Sequence, residues 1–151
     1  ESKGITTGVM IRNLRQNIKN LVLGIKKLEE ETLRLIKEYE PELFTNLQSI
    51  PGIGKKTAVL LIIDTNAFST FENHKQIISY LGLAPMEYSS GTSVSKKSRI
   101  SKTGDARIRN HLFMCSFTAC ERNPQCKALY ERIVAKGKSK KLALIAECNK
   151  F

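Results

Sequence analysis

Acidic residues are scarce in this chain, and aspartate is nearly missing. The 151 residues include 14 acidic and 25 basic side chains, which gives a net charge of +11. The only two aspartates, Asp64 and Asp105, fall in different predicted elements. Because two-metal phosphoryl transfer needs clustered carboxylates, we expect no metal site within this chain. The charge balance argues against an acid-rich metal enzyme and favours a polyanionic partner.

Long apolar runs and closely paired cysteines are missing as well. The longest apolar run, Ala58 to Ile63, is far shorter than the ~20 residues that a membrane-spanning helix needs. No apolar segment follows a basic start, so we expect no signal peptide and a reduced, cytoplasmic environment. No Cys-x-x-Cys pair is present, and Cys115 and Cys120 are predicted to be buried thiols of an apolar helix rather than zinc ligands. The first residue is Glu1 rather than methionine, and we expect the chain to be a piece of a longer protein.

The composition that remains is that of a globular, mainly helical protein. Hydrophobic residues make up 41% of the chain and charged residues 26%. The predicted fold is mainly α, with a long coiled-coil-like helix at the N-terminus. A compact helical domain follows, with a helix-hairpin-helix motif and a serine-rich loop or short β-hairpin. We place a helical linker or coiled-coil segment at residues 1–46 and the compact domain at residues 47–151.

The N-terminal segment carries a regular apolar seam over residues 11–39. The spacing alternates between three and four residues, with Ile at three of the a positions and Leu at every d position, which favours two-stranded parallel pairing. Its apolar members are Ile11, Leu14, Ile18, Leu21, Ile25, Leu28, Leu35 and Tyr39, and Thr32 is the only polar residue in the register. The alternative is an ordinary amphipathic helix packed on its own domain, since Val22, Leu33 and Ile36 widen the stripe.

A glycine-containing turn between two predicted helices is the most specific short motif. It reads Ile50-Pro-Gly-Ile-Gly-Lys-Lys-Thr-Ala58 and resembles the helix-hairpin-helix motif of DNA-binding proteins. Gly52 and Gly54 permit a close backbone approach to a ligand. The free N–H groups at the next helix start can hold a phosphate, and Lys55 and Lys56 add positive charge there. The alternative is a helix connection that only packs.

The next segments predict short helices around a serine-rich stretch. Asn73 caps a helix that reaches Leu81, with Gly82 at its end. Residues 89–98 form a loop or hairpin tip, and a helix follows from about Asp105 to Arg122. The expected buried side of that helix is Ile108, Leu112, Cys115 and Ala119. Asn123 and Pro124 begin another helix, and Ser139 begins the last one.

Most of the positive charge lies after the serine-rich turn. Residues 87–151 hold 14 basic and five acidic side chains, whereas the first 86 residues are nearly neutral. A cluster within this part predicts a phosphate-facing surface. Its members are Lys96, Lys97, Arg99, Lys102, Arg107 and Arg109. Because Arg107 and Arg109 are two apart on a helix, we expect one to bind DNA while the other pairs with an acid.

Several motifs together resemble the C-terminal domain of a bacterial insertion-sequence transposase family. The motifs are Ile50 to Ala58, Tyr80-Leu-Gly-Leu-Ala-Pro85, Tyr88-Ser-Ser-Gly91, Arg99-Ile-Ser-Lys-Thr-Gly104 and Arg107-Ile-Arg109. The family includes Piv-type DNA invertases, and its members carry a RuvC-like N-terminal domain with a DEDD acidic tetrad. The resemblance covers about residues 47–151, and residues 1–46 resemble the helical linker less specifically.

The resemblance implies site-specific DNA recombination in a bacterial cytoplasm. It implies that this domain supplies a serine nucleophile, which falls on Ser90, with Ser89 as the next candidate. It implies Mg²⁺ on the RuvC-like domain, which this chain does not include, and some members use a structured guide RNA. Because the acidic tetrad is missing here, we expect the chain alone to bind DNA without cutting it.

Two rival functions remain open at this stage. One is a non-catalytic helix-hairpin-helix module that binds branched or duplex DNA. The other is a dimerisation scaffold that works through residues 11–39. Few aromatic side chains are available for base stacking, and phosphates alone do not separate DNA from RNA.

Overall fold

The computed structural model describes the backbone of residues 2–90 and 94–150, and the side chains of residues 7–86 and 99–150. Over that part the chain is mainly helical, which confirms the predicted fold class. Seven helices and one antiparallel strand pair are present in the described part. They are α1 (Ser2–Tyr39), α2 (Pro41–Ser49), α3 (Lys55–Asp64), α4 (His74–Tyr80), β1 (Pro85–Ser90), β2 (Val94–Ile100), α5 (Ala106–Arg122), α6 (Pro124–Ala135) and α7 (Lys140–Cys148).

The chain divides into two units, residues 1–41 and residues 42–151. The first unit is α1, a helix of 38 residues whose seam is exposed: Leu21 keeps 66% of its surface accessible and Leu28 keeps 70%. Near its end, Arg34 forms ion pairs with Glu31 at 2.7 Å and Glu38 at 2.8 Å. These pairs are solvent-exposed, so they contribute little to stability.

Helix α5 forms the centre of the second unit. Its four predicted core residues, Ile108, Leu112, Cys115 and Ala119, are all buried. Helices α3, α6 and α7 contact α5, and α6 also contacts α7. The Cys115 thiol donates to the Thr57 hydroxyl at 3.5 Å and thereby links α5 to α3.

Side-chain caps fix where several helices begin. Asn73, Asn123 and Ser139 accept hydrogen bonds from the first-turn amides of α4, α6 and α7, as the sequence predicts. Pro41 begins α2, where a first-turn proline loses no helical hydrogen bond. Helix α4 ends at Leu81 as its C-cap, and Gly82 follows with a φ of +67°.

The serine-rich segment forms a short β-hairpin, one of the two predicted forms. Pro85 pairs with Ile100 at the stem of the hairpin, and Ser90 pairs with Val94 at the distal end. The register shifts after Met86: Met86 pairs with Arg99 and Tyr88 with Lys96, so β2 has one residue more than β1 over this step. An extra residue of this kind bends the strand that carries it, here β2, and increases its local twist.

Within the described residues, no helix is both long enough and apolar enough to cross a membrane.

Candidate functional site

The two glycines in the turn between α2 and α3 have different surroundings. Gly52 has a φ of +104°, and a Cβ built there would lie 2.5 Å from the Cys115 carbonyl oxygen and 3.2 Å from the Ala119 amide nitrogen. Gly52 therefore lets the turn contact the backbone of α5. Ile53 beside it is buried, so this half of the turn belongs to the core.

Gly54 lies on the open half of the same turn. It is the N-cap of α3, with φ −86° and ψ 169°, and nothing lies within 4 Å of a Cβ built there. No side chain among the described residues caps this helix start. The exposed Lys55 and Lys56 follow directly and add positive charge at this helix start, where the helix dipole already favours an anion. This arrangement suits an approaching phosphate.

The backbone of the predicted nucleophiles lies in the distal half of β1. Ser89 pairs with Ser95 and Ser90 with Val94. The side chains of both serines lie outside the described residues, as do those of Lys96 and Lys97 on β2. The strand spacing of ~3.4 Å per residue puts Ser90 roughly 17 Å from Pro85 at the stem.

The other basic residues of the predicted surface follow β2. Arg99 and Lys102 are exposed, and Lys102 has a φ of +59°, an uncommon conformation for a residue with a side chain. Arg107 is exposed and binds Asp105 at 2.7 Å. The hydrogen bond from Arg107 lowers the pKa of the Asp105 carboxyl and raises the pKa of the guanidinium. Arg107 is therefore the arginine that pairs with an acid.

Arg109 is half-buried and bonds to backbone. Its Nη1 donates to the Leu81 carbonyl at 3.2 Å and to the Gly104 carbonyl at 2.5 Å. The guanidinium thus already joins the segment before β1 to the segment after β2. A DNA contact by its remaining donors stays a prediction.

Two acidic groups acquire surroundings that the sequence did not indicate. Asp64 contributes electrostatically, after Asp105, to the raised pKa of Arg107, so both aspartates act on one guanidinium. Glu147 on α7 is 1% exposed, and its carboxylate lies beside the Cys126 thiol. Periodicity alone gave no signal for this burial, because glutamate is usually a surface residue.

The cysteines near Glu147 are poorly ionisable thiols. Burial, and then the Glu147 carboxylate, raise the pKa of Cys126 to about 11 and also raise the pKa of Cys120. Burial raises the pKa of Cys148 to about 11. Thiolates are the nucleophilic and metal-binding form, so these side chains have little reactivity at neutral pH.

Comparison with known proteins identifies the family. The model of the transposase IS116/IS110/IS902 family matches residues 44–131. This range contains the glycine turn, the hairpin and all of α5. The chain therefore belongs to this transposase family, which confirms the broader part of the resemblance drawn from its motifs.

Three relatives show how far the similarity extends. The pilin gene-inverting protein of Moraxella bovis is 36% identical over 139 residues, which cover 89% of this chain and 43% of that protein. The insertion element IS110 uncharacterized 43.6 kDa protein of Streptomyces coelicolor is 31% identical over 99 residues, 66% of this chain and 24% of that protein. The transposase for insertion sequence element IS1328 of Yersinia enterocolitica is 28% identical over 149 residues, 91% of this chain and 44% of that protein. The chain thus spans less than half the length of these relatives.

Proposed function

We propose that this chain is the DNA-binding, nucleophile-bearing part of a site-specific DNA transposase or recombinase. Ser90 is the proposed nucleophile and Ser89 the second candidate. The observation that carries the proposal is the family match, because it includes the hairpin on which both serines lie. The basic residues after the hairpin supply the charge that a phosphate-binding surface needs.

The proposed reaction is a transesterification at one DNA phosphate. The serine oxygen forms a bond to phosphorus, and the bond from phosphorus to one bridging oxygen breaks. A phosphoserine ester and one free DNA hydroxyl result, and the serine proton replaces the bond lost at the leaving oxygen. Basic side chains such as Arg99 and Lys102 would stabilise charge on the phosphate as it is attacked.

The Mg²⁺ implied by the family does not fit the described part of this chain. No group of three histidine, cysteine or acidic side chains that could hold a metal ion is present in that part. We propose that the metal ligands belong to a RuvC-like domain outside this chain. This chain alone is then expected to bind DNA without cleaving it, and strand cleavage by the isolated chain with Mg²⁺ would contradict that expectation.

The nucleophile is tested by trapping a covalent protein–DNA adduct with the complete transposase. Ser90→Ala should abolish the adduct, whereas the matched Ser89→Ala should retain it. Loss with Ser89→Ala alone would move the assignment to Ser89. An adduct that survives in both single variants and in the double variant would overturn the serine mechanism.

The DNA contact at the start of α3 is tested at Gly54, where an added Cβ has no atom within 4 Å. Gly54→Asp supplies a favourable N-cap but puts a carboxylate beside the expected phosphate. We expect the Kd for duplex DNA to rise by roughly tenfold, a free-energy change of about 1.4 kcal/mol. Gly54→Ser also caps the helix without charge and should change the Kd by less than about twofold. Equal affinities of the two variants would place the phosphate elsewhere.

A second proposal concerns α1, whose seam is exposed. We propose that residues 11–39 pair with a second copy as a coiled coil, with Ile at three of the a positions and Leu at every d position. Leu21→Asp should convert a dimer to a monomer in sedimentation experiments, whereas Asn20→Asp, one residue away and off the seam, should not. A wild-type monomer at high concentration would contradict this pairing.

A structured guide RNA remains a further proposed partner, tested by competition against DNA.

A further inference from the structure

The stem of the β-hairpin is held by more contacts than its strand pairing. Residues 81–84 lead from α4 into β1, and residues 101–105 lead from β2 into α5. The Ser101 amide donates to the Ala84 carbonyl at 3.0 Å, and the Lys102 amide donates to the Gly82 carbonyl at 3.0 Å. The two connecting segments therefore continue to pair for two residues below the last strand pair.

These segments approach each other too closely for side chains. A Cβ on Gly82 would lie 2.7 Å from the Gly104 nitrogen and 2.8 Å from the Thr103 nitrogen. A Cβ on Gly104 would overlap the Tyr80 carbonyl oxygen. Gly82 and Lys102 both have positive φ, which for Lys102 costs conformational energy. Such a conformation persists only where its surroundings over-determine it.

Arg109 closes this arrangement from α5. Its Nη1 bonds to the carbonyl of Leu81 on one segment and to that of Gly104 on the other. The same nitrogen would lie 2.9 Å from a Cβ on Gly82, so it lies directly against the point of closest approach. One side chain of the central helix thus bonds to both connecting segments at the stem of the hairpin.

We propose that Arg109 is a positioning residue that sets the direction of the serine-bearing hairpin. This inference rests on the proposed function, because it matters for the reaction only if a hairpin serine attacks DNA. Ser90 lies roughly 17 Å from the stem, so a 10° change at the stem moves it by about 3 Å. A misplacement of ~1 Å can slow a reaction by ~100-fold, so a small loss at the stem has a large effect at the serine.

Arg107 is the matched comparison, since it lies two residues earlier on the same helix and carries the same charge. It is exposed and bonds to the side chain of Asp105 at the start of α5, and not to the carbonyls of Leu81 and Gly104 that Arg109 joins. Removing it should weaken DNA binding without altering the stem. Arg109→Lys removes the two bonds of the guanidinium but keeps the charge, so it should alter the stem while leaving DNA affinity nearly unchanged.

The first test measures amide hydrogen exchange on this chain in Arg109→Lys, Arg109→Gln and Arg107→Gln. Both Arg109 variants should exchange faster by at least about tenfold at the Ser101 and Lys102 amides, with exchange in the α5 core unchanged. Arg107→Gln should leave these amides at the wild-type rate. Unchanged stem exchange in both Arg109 variants would overturn the proposal. Global loss of helical structure in both would also overturn it, because Arg109 would then hold the fold rather than the hairpin.

The second test measures the rate of serine–DNA adduct formation in the complete transposase at saturating DNA. Arg109→Lys keeps the charge, so its Kd for DNA should stay within about twofold while the rate falls by roughly 100-fold. A rise in Kd with an unchanged saturated rate would make Arg109 a DNA contact and overturn the positioning role. If the wild type forms no adduct, the serine mechanism fails, yet the exchange experiment still decides whether Arg109 holds the stem.

Discussion

Arg107 and Arg109 show how two identical side chains acquire different roles within one turn of helix. Arg107 projects into solvent and pairs with Asp105, whereas Arg109 bonds to two carbonyls at the base of the hairpin. A separation of two residues points side chains to different sides of a helix. The sequence therefore predicts that the two differ, and the packing of the hairpin stem decides which of them is structural.

Gly52 is expected to tolerate no side chain. Gly52→Ala combines the positive φ of this position with an overlap against the Cys115 carbonyl, so we expect a loss of at least ~2 kcal/mol in the free energy of unfolding. Gly137→Ala is the control, because Gly137 also has positive φ but open space around it. Urea denaturation of both variants separates the overlap from the backbone conformation. Equal losses would show that the contact with α5 is not limiting.

The Cys148 thiol is expected to make the free energy of unfolding fall as the pH rises into the alkaline range. Burial raises its pKa from an ordinary value of 9.0 to about 11, so the unfolded chain loses this proton first as the pH rises. The contribution of the buried Cys148 thiol to the free energy of unfolding is fully present below pH 9 and is lost between about pH 9 and 11. Cys148→Ala should show a shallower fall in the free energy of unfolding over that range. Parallel curves for wild type and variant would contradict the raised pKa.

At the scale of elements, polar caps and glycines decide where the helices of the second unit start and stop. Helices α5 and α6 meet at Asn123, which ends the first and caps the second by accepting from the Gln125 amide at 2.9 Å. The two helices therefore change direction at one residue, which allows both to contact α7. The hairpin lies between α4 and α5 in the sequence. Gly82, with its positive φ, follows the end of α4, and Asp105 caps the start of α5.

Asn123→Ala is expected to destabilise this corner. Loss of the cap on α6 should lower the free energy of unfolding by about 1 kcal/mol, measured by thermal or urea denaturation. Asn123→Asp keeps an accepting oxygen at the same position and should retain most of the stability. A full loss in Asn123→Asp as well would show that the amide group, rather than the cap, is needed.

At the scale of the whole molecule, the uneven distribution of charge supports the proposed nucleic-acid partner. The excess of basic residues lies in residues 87–151, and the family model covers this part of the chain as far as residue 131. A surface that neutralises phosphates releases counterions, so its affinity falls steeply with salt. This links the uneven charge of the sequence to a measurable property of the proposed complex.

The salt dependence of DNA binding should identify the residues in contact with phosphate. Lys97→Ala and Arg99→Ala should each lower the slope of log K against log salt by about 0.9. Lys19→Ala, in the nearly neutral first unit, should leave the slope unchanged. A slope that is equally insensitive to all three would contradict a phosphate-binding surface beside the hairpin.

The sequence by itself determined the helical class, most helix starts and the buried side of α5. Caps such as Asn73, Asn123 and Ser139, and the spacing from Ile108 to Ala119, depend on residues within one or two turns. The motifs of the glycine turn and the hairpin also sufficed to indicate the family.

Only the tertiary structure decided which of these residues hold the fold and which remain open to a ligand. Gly52 meets α5 more than sixty residues later, and Arg109 bonds to Leu81, 28 residues earlier. The burial of Glu147 likewise depends on the helices around α7. These contacts join distant parts of the chain. Local periodicity does not predict them, because it indicates only which side of a helix or strand faces inward.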